Sequence, residues 1–259
     1  MLEDKLVTTN DGSHTLFSLK YNQHFHNTED GGFSEALHKH IIPAFSHSYN
    51  KKELNILDIC FGLGYNSFAT IFYILENRLD IKINIYSPEL DFDLIKSLQN
   101  FSYPKEFEKF KNIINQLSLN QKYEDEKIKI EIFIGDAREY LKTFPKDFFD
   151  IVYQDAFSSE VNKELWTKEY FEDIYKISKE DSILTTYAIS TNIRLSMYEA
   201  GFYIYETRPT KRKITLAFKN KQEKIGKYID MELKKLEIKM QKPYLIALFN
   251  FFFNIMQTQ

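Results

Sequence analysis

Residues Asn55 to Asn66, N-I-L-D-I-C-F-G-L-G-Y-N, constrain the fold more than any other stretch of the chain. The run Ile56-Leu57-Asp58-Ile59 reads as a short, mostly apolar strand. Gly62 and Gly64 close a turn, and Asn66-Ser67 opens the apolar helical pattern Phe68-Ala69-Thr70-Ile71-Phe72-Tyr73. Strand, glycine turn and helix start are the layout of a nucleotide-binding crossover. There two glycines let the backbone approach a ligand, and a helix N-terminus offers unpaired N–H groups. The third glycine of the dinucleotide fingerprint is missing, so the same pattern also suits a turn that only closes an α/β unit.

The rest of the chain decides between these readings. From Leu54 onward short apolar strands alternate with helical patterns. Strands are predicted at Asn55–Ile59, Ile81–Tyr86, Ile128–Ile134, Phe149–Tyr153, Ser182–Tyr187, Tyr203–Glu206 and Ile214–Phe218. Helices are predicted near 66–77, 91–99, 104–118, 136–143, 167–178 and 190–200. Such alternation predicts a Rossmann-like α/β domain whose mostly parallel, seven-stranded sheet carries helices on both faces. The last two strands flank Arg208-Pro209-Thr210 closely and should pair antiparallel. That ending is the layout of class I methyltransferases rather than of dehydrogenases.

Residues 1–50 differ in character. Leu6-Val7-Thr8-Thr9 and Thr15-Leu16-Phe17-Ser18-Leu19 flank Asn10-Asp11-Gly12-Ser13, a β-hairpin signal. All six histidines lie in this segment, without the i, i+4 spacing of a helical metal site and without a cysteine partner, so no metal is expected. The chain is thus divided into an N-terminal β-rich extension (1–50), a Rossmann-like domain (51–220) and a basic, then apolar C-terminal segment (221–259). In the last, Ile225, Ile229, Leu233, Leu236 and Met240 recur at helical spacing. The apolar tail after Pro243, at about 13 residues, is too short to span a bilayer and is expected to dock on the core or on a second copy in a homodimer. The single Cys60 agrees with a reducing cytoplasm. Net charge is −3, yet Lys211 to Lys242 carries eleven Lys/Arg against four Asp/Glu, a local excess that suits either a phosphate-bearing partner or a solvated face.

Ligands of a doubly wound sheet bind beyond the carboxyl ends of its strands. Those ends carry Asp58, Glu89, Asp136 (followed by Ala137) and Asp155, in step with the sheet. Glu89 follows Gly64 by 25 residues, near the spacing of an acid that holds ribose hydroxyls. Asp136 suits an adenine amino group, or equally a helix N-cap. Together they point to an adenosine-bearing cofactor, and the terminal antiparallel pair favours S-adenosylmethionine over NAD.

Several blocks also resemble one family, the methyltransferase module of MnmC, and most closely its stand-alone versions without the fused flavin oxidoreductase. Asp11-Gly12-Ser13-His14-Thr15-Leu16-Phe17-Ser18 is similar to the family's D-G-S-x-T-L-Y-S, and Ser34-Glu35-Ala36-Leu37-His38 to Q-E-S-x-H. Phe61-Gly62-Leu63-Gly64-Tyr65-Asn66 resembles the cofactor loop F-G-T-G-L-N. Asp155-Ala156-Phe157 through Trp166 resembles D-x-F-x-P-x-x-x-P-x-x-W, and Glu199-Ala200-Gly201-Phe202 and Lys211-Arg212-Lys213 match an E-A-G-F block and a terminal basic block. The resemblance covers about Asp11 to Phe218. It departs at Cys60 and Leu63, where the family has Gly and Thr, and at Ser159 and Lys163, where it has prolines. A cofactor loop with less freedom and one hydroxyl fewer, and a less rigid Asp155 loop, are expected.

The resemblance implies methyl transfer from S-adenosylmethionine to the amine of 5-aminomethyl-(2-thio)uridine at the tRNA wobble position. It implies cofactor contacts from Glu35, Asp58, Phe61, Gly62, Gly64, Asn66, Glu89, Asp136 and Ala137, and Asp155 as the group that receives the amine's protons. Tyr153, Phe157 and Trp166 would stack on the uracil, and Lys211, Arg212 and Lys213 would meet tRNA phosphates. The rivals are a spermidine-synthase-like aminopropyltransferase and a non-catalytic tRNA- or protein-binding module with a decayed cofactor loop.

Overall fold

The computed structural model describes residues 5–238. β1 (Lys5–Thr8), β2 (His14–Ser18) and β3 (Gln23–His24) form a small antiparallel sheet, one strand more than the expected hairpin. Asp11 organises its turn. The carboxylate accepts the Ser13 N–H at 3.0 Å and the Thr9 hydroxyl at 2.7 Å, then reaches forward to the Ser34 N–H at 2.8 Å. That last bond fixes the start of a helical rod made of α1 (Gly32–Glu35), a π-helical segment Ala36–Ile41 and α2 (Ile42–His47). The rod packs on the main sheet, so the extension shares its core with the domain that follows.

The main chain then winds through β4 (Glu53–Ile59), α3 (Tyr65–Glu76), β5 (Lys82–Glu89), α4 (Phe92–Ser97), α5 (Lys111–Asn120), β6 (Lys122–Glu124), β7 (Ile128–Ile134), α6 (Ala137–Leu141), β8 (Phe149–Gln154), α7 (Lys168–Ile177), β9 (Ser178–Thr186), α8 (Thr191–Glu199), β10 (Tyr203–Thr207), β11 (Ile214–Phe218) and β12 (Lys227–Tyr228). Among the described residues the sheet order is β12-β10-β11-β9-β8-β4-β5-β7-β6. The β4 pairings with β5 and β8 are parallel, as are β5–β7 and β8–β9, whereas β11 runs antiparallel between β9 and β10. All seven strands expected from the sequence are present, and β6 and β12 extend the edges. This is the class I S-adenosylmethionine-dependent methyltransferase fold.

Alternation sets the two cores. Leu54 and Ile56 of β4 face one side with α3 and the rod, while Leu57 and Ile59 face the other with α7 and α8. Asp58 has the parity of Leu54 and Ile56, so its carboxylate lies under the start of α3. β4 has β5 on one side and β8 on the other, which makes its carboxyl end the topological switch point.

Two expected helices differ. Residues 104–118 split into a 3-10 segment, Lys105–Phe110, and α5. The amphipathic helix expected from Ile225 starts only at residue 231, because Lys227 and Tyr228 pair with β10 instead. Met231 is buried, whereas Leu233 and Leu236 are exposed. Met240 and the apolar tail lie outside the described residues, as does the docking expected of them. Among the described residues no helix is long and apolar enough to cross a membrane.

At the amino ends of the central strands, away from the switch point, buried Asp150 holds the sheet together. It accepts the Asn55 N–H at 2.9 Å and ion-pairs with Lys51 at 2.7 Å and Lys179 at 2.9 Å, joining β4, β8 and β9. Both lysines keep partial solvent contact, so Asp150→Ala is expected to cost about 2–3 kcal/mol, below the range for a fully buried pair. Chemical denaturation checks this, and an unchanged midpoint would remove Asp150 from the framework.

Candidate active site

The strand ends converge on one cavity of about 1400 Å³. The sequence-predicted residues Glu35, Phe61, Gly62, Asn66, Glu89, Asp136, Ala137, Asp155, Phe157, Arg212 and Lys213 line it. Asp58, Gly64, Tyr153, Trp166 and Lys211 do not.

The glycine loop leaves β4 with three residues in the left-handed region: Cys60 at φ +66°, Gly62 at +53° and Gly64 at +74°. Only Gly64 is sterically obligatory, since a Cβ there would fall 2.6 Å from the Phe68 ring. Cys60 adopts this conformation with a side chain, at a cost of about 1–2 kcal/mol. Burial and the nearby carboxylates push its thiol well above the ordinary range. Leu63 points into the core and its carbonyl accepts the Tyr103 hydroxyl. The hydroxyl that the family has at this position is therefore replaced by packing, away from the cavity.

On the β5 side, Glu89 accepts the Gly62 N–H through Oε2 and the Asp91 N–H through Oε1, both at 2.9 Å. Burial pushes its pKa up against these two bonds. Each carboxylate oxygen retains a second lone pair, an acceptor set that suits the O–H donors of two ribose hydroxyls. Asp136 is the N-cap of α6, accepting the Arg138 N–H at 2.9 Å and a guanidinium nitrogen at 2.6 Å. The Arg138 side chain lowers its pKa, and its adenine contact would have to share these oxygens. The cavity, Glu89 and the helix starts of α3 and α6 fit S-adenosylmethionine.

On the β8 side, Asn66 joins two carboxylates. Its side-chain amide donates to Asp58 Oδ1 at 3.2 Å and to Asp155 Oδ2 at 2.9 Å. Asp58 also accepts the Ser67 hydroxyl at 2.9 Å, and its backbone carbonyl accepts Ser87 Oγ. It supports the site from below, and its pKa is raised by burial to about 7. Burial also pushes Asp155 up, but His40, His26 and the Asn66 amide outweigh it and hold Asp155 below the usual carboxylate range. His40 Nε2 lies 3.5 Å from Asp155 Oδ1.

The N-terminal extension roofs the cavity. Phe157 packs against Tyr21 and Phe25, each at 5.1 Å between ring centroids, and Gln23 donates to Ser158 Oγ at 2.7 Å. The Asp155 loop is pinned without its prolines: Tyr187 donates to the Ala156 carbonyl at 2.9 Å and Trp166 to that of Phe157 at 2.8 Å. Glu35 faces the cavity but is engaged, accepting the Asn27 N–H at 2.8 Å and Lys39 Nζ at 2.6 Å.

Two expected stacking residues are core residues instead. Tyr153 is fully buried on the α3 side of β8, its hydroxyl 3.2 Å from Thr70 Oγ1, and Trp166 packs on Phe171 and Tyr187. In the basic block, Arg212 pairs with Asp30 at 3.2 Å and with Glu29, and Lys213 pairs with Glu206 at 2.6 Å. Among the described residues Lys211 and Arg208 carry no ion pair, and Arg208 lines the cavity. His26, His40, Tyr187 and Arg208 are site residues that sequence spacing missed. Only the tertiary fold brings His26, His40 and Tyr187 to Asp155 and Arg208 to the cavity.

Comparisons with known proteins bear on the fold and on the cofactor class. A model of an S-adenosyl-L-methionine-dependent methyltransferase family matches residues 103–220. An uncharacterized protein of Methanocaldococcus jannaschii is 30% identical, over 84% of this chain and 60% of its own length. The tRNA 5-methylaminomethyl-2-thiouridine biosynthesis bifunctional protein MnmC of Leptospira interrogans is 28% identical, over 69% of this chain and 28% of its own. The chain thus spans less than two thirds of either relative. The crystal structure of MnmC2 from Aquifex aeolicus superposes with a TM-score of 0.79 at 27% identity, covering 91% of this chain and 76% of that one.

Asp58 gives the site a measurable pH signature. Unfolded, it titrates near 3.8; folded, near 7. Between these values the folded protein keeps a proton that the unfolded chain has released, so this group's contribution to stability falls as pH rises through the window. Asp58→Asn should therefore lose less stability than the wild type from pH 4 to 7 in denaturant titrations. Parallel pH profiles for the two proteins would contradict a proton-binding Asp58.

Proposed function

We propose that the chain is an S-adenosylmethionine-dependent methyltransferase related to the methyltransferase domain of MnmC, and that it methylates the exocyclic amine of 5-aminomethyl-(2-thio)uridine at the wobble position of tRNA, in the cytoplasm. The observation that carries this reading is the Asp155 carboxylate, held charged by Asn66 and two histidines in the wall of a cavity larger than one cofactor needs. Small-molecule pockets run to about 1000 Å³, which leaves space here for a second ligand.

S-adenosylmethionine, when bound, supplies a methyl group already activated on a sulfonium. Glu89 holds its ribose, Asp136 and Ala137 its adenine side, and the Phe61–Asn66 turn the rest. A free alkylamine is protonated at neutral pH, so the amine must lose a proton before it attacks. Asp155 holds the amine by its N–H groups and accepts that proton, which leaves the nitrogen lone pair free. Phe157, backed by Tyr21 and Phe25, offers a ring on which an extruded uracil stacks. The roof excludes water around it. Arg208, Lys211 and the paired Arg212 and Lys213 meet phosphates at the rim.

Asp155→Ala should abolish methylation while leaving S-adenosylmethionine affinity by calorimetry within about twofold, since a carboxylate on the amine side adds little to cofactor binding. Equal loss of both would make Asp155 structural. Glu89→Ala should instead weaken cofactor binding by about tenfold or more, the cost of charge-assisted hydrogen bonds to ribose. An unchanged affinity would remove that assignment. Mass spectrometry of wobble nucleosides from a deletion strain tests the substrate. Accumulated 5-aminomethyl-2-thiouridine supports it, and undiminished 5-methylaminomethyl-2-thiouridine rules it out.

A further inference from the structure

One buried polar atom at the site has no hydrogen-bond partner. His40 is fully enclosed; its Nδ1 lies 2.8 Å from Thr185 Oγ1, while Nε2 is unpaired and faces Asp155 Oδ1 at 3.5 Å. Its placement is built in at several levels. The π-helical segment Ala36–Ile41 turns two consecutive polar residues inward, Lys39 toward Glu35 and His40 toward Asp155. Such segments recur where a helix must aim a side chain that regular winding would misplace. Thr185 of β9 stands in register with Tyr153 of β8, and the Tyr153 ring packs edge-on against His40 at 5.7 Å. Ring and hydroxyl thus clamp the imidazole between two neighbouring strands.

We propose that His40 is a positioning residue for Asp155: the Thr185 hydroxyl donates to Nδ1, which leaves the proton on Nε2, and that N–H closes on Oδ1 when the amine draws the carboxylate into place. The inference rests on the methyl-transfer reading above. Asn66 then holds Oδ2 and His40 holds Oδ1, and each oxygen keeps a lone pair for the amine. The proton taken from the amine goes to Asp155.

Every titratable group around this pair belongs to a different element. His26 comes from the roof, Asp58 from β4, Cys60 from the glycine loop, Glu35 from α1, and Tyr153 and Tyr187 from β8 and the end of β9. Of these, His26 favours the Asp155 charge alongside His40, while Asp58 and Asp155 oppose each other's charge. Removing His40 should therefore make Asp155 easier to protonate.

Two readouts test this. The first is the pH profile of kcat/KM. In His40→Leu its acid limb should move up by about one pH unit and kcat should fall about tenfold, the equivalent of one lost charge-assisted contact. Affinity for S-adenosylmethionine should hold. His40→Gln, which keeps an N–H donor, should recover most of kcat. The second needs no substrate: the Asp155 carboxyl resonance, assigned with Asp155→Asn, should titrate higher in His40→Leu by carbon NMR. If His40→Leu does not fold, Thr185→Val releases the ring and reads the same coupling. An Asp155 titration that stays put in a folded variant overturns the proposal. A wild type inactive on aminomethyluridine tRNA whose Asp155 still shifts leaves His40 in place and removes the function. An active wild type whose variants shift neither readout does the reverse.

Discussion

Asp58 and Asp155 leave adjacent strands of the sheet, yet both turn their carboxylates toward the Asn66 amide. Like charges so close repel, and each is also partly desolvated; the shared amide and the nearby imidazoles answer one, and burial answers the other by raising the Asp58 pKa. The two acids thereby separate into different states, one easily neutralised and one held charged. The start of α3 depends on the same contact, because Asn66 and the neighbouring Ser67 both reach down to Asp58. A change at this amide would disturb the cofactor turn and the β8 exit together.

The roof is the second organising element. Most class-defining features of the sheet lie below the cavity, while Tyr21, Phe25, His26 and Glu35 descend from the N-terminal extension. Asp11 links the hairpin turn to α1, and the rod carries the π-helical segment that delivers His40. The extension is therefore part of the site rather than an appendage, and its core is continuous with that of the sheet.

The fold was legible because its signals are local. Apolar runs such as Ile128–Ile134 and Phe149–Tyr153 recur at the spacing of βα units, and the Arg208-Pro209-Thr210 interruption marks the final hairpin. The acids at the strand ends were legible for the same reason, since strand parity and length place them. Tyr153 and Trp166 show where this stops: an aromatic next to a strand end faces either the cavity or the core, and only the packing of Thr70 and Phe171 decides. His40 was opaque for a related reason. Its partner Thr185 is 145 residues away, and a π-helical turn shifts the helical phase by which its facing would be read. The helix expected from Ile225 begins only at residue 231 because cross-strand pairing with β10 takes Lys227 and Tyr228.

The bond between Arg212 and the acids at 29 and 30 joins residues some 180 positions apart, from the roof to the tip of the β10–β11 hairpin. During synthesis the roof leaves the ribosome first, and its electrostatic partner emerges only after every central strand has been made. Until then the apolar faces of Tyr21, Phe25 and Phe157 have no closed cavity to line. The site is thus completed late, and a chain interrupted before the β10–β11 hairpin would carry most of the sheet with this apolar cavity still unclosed.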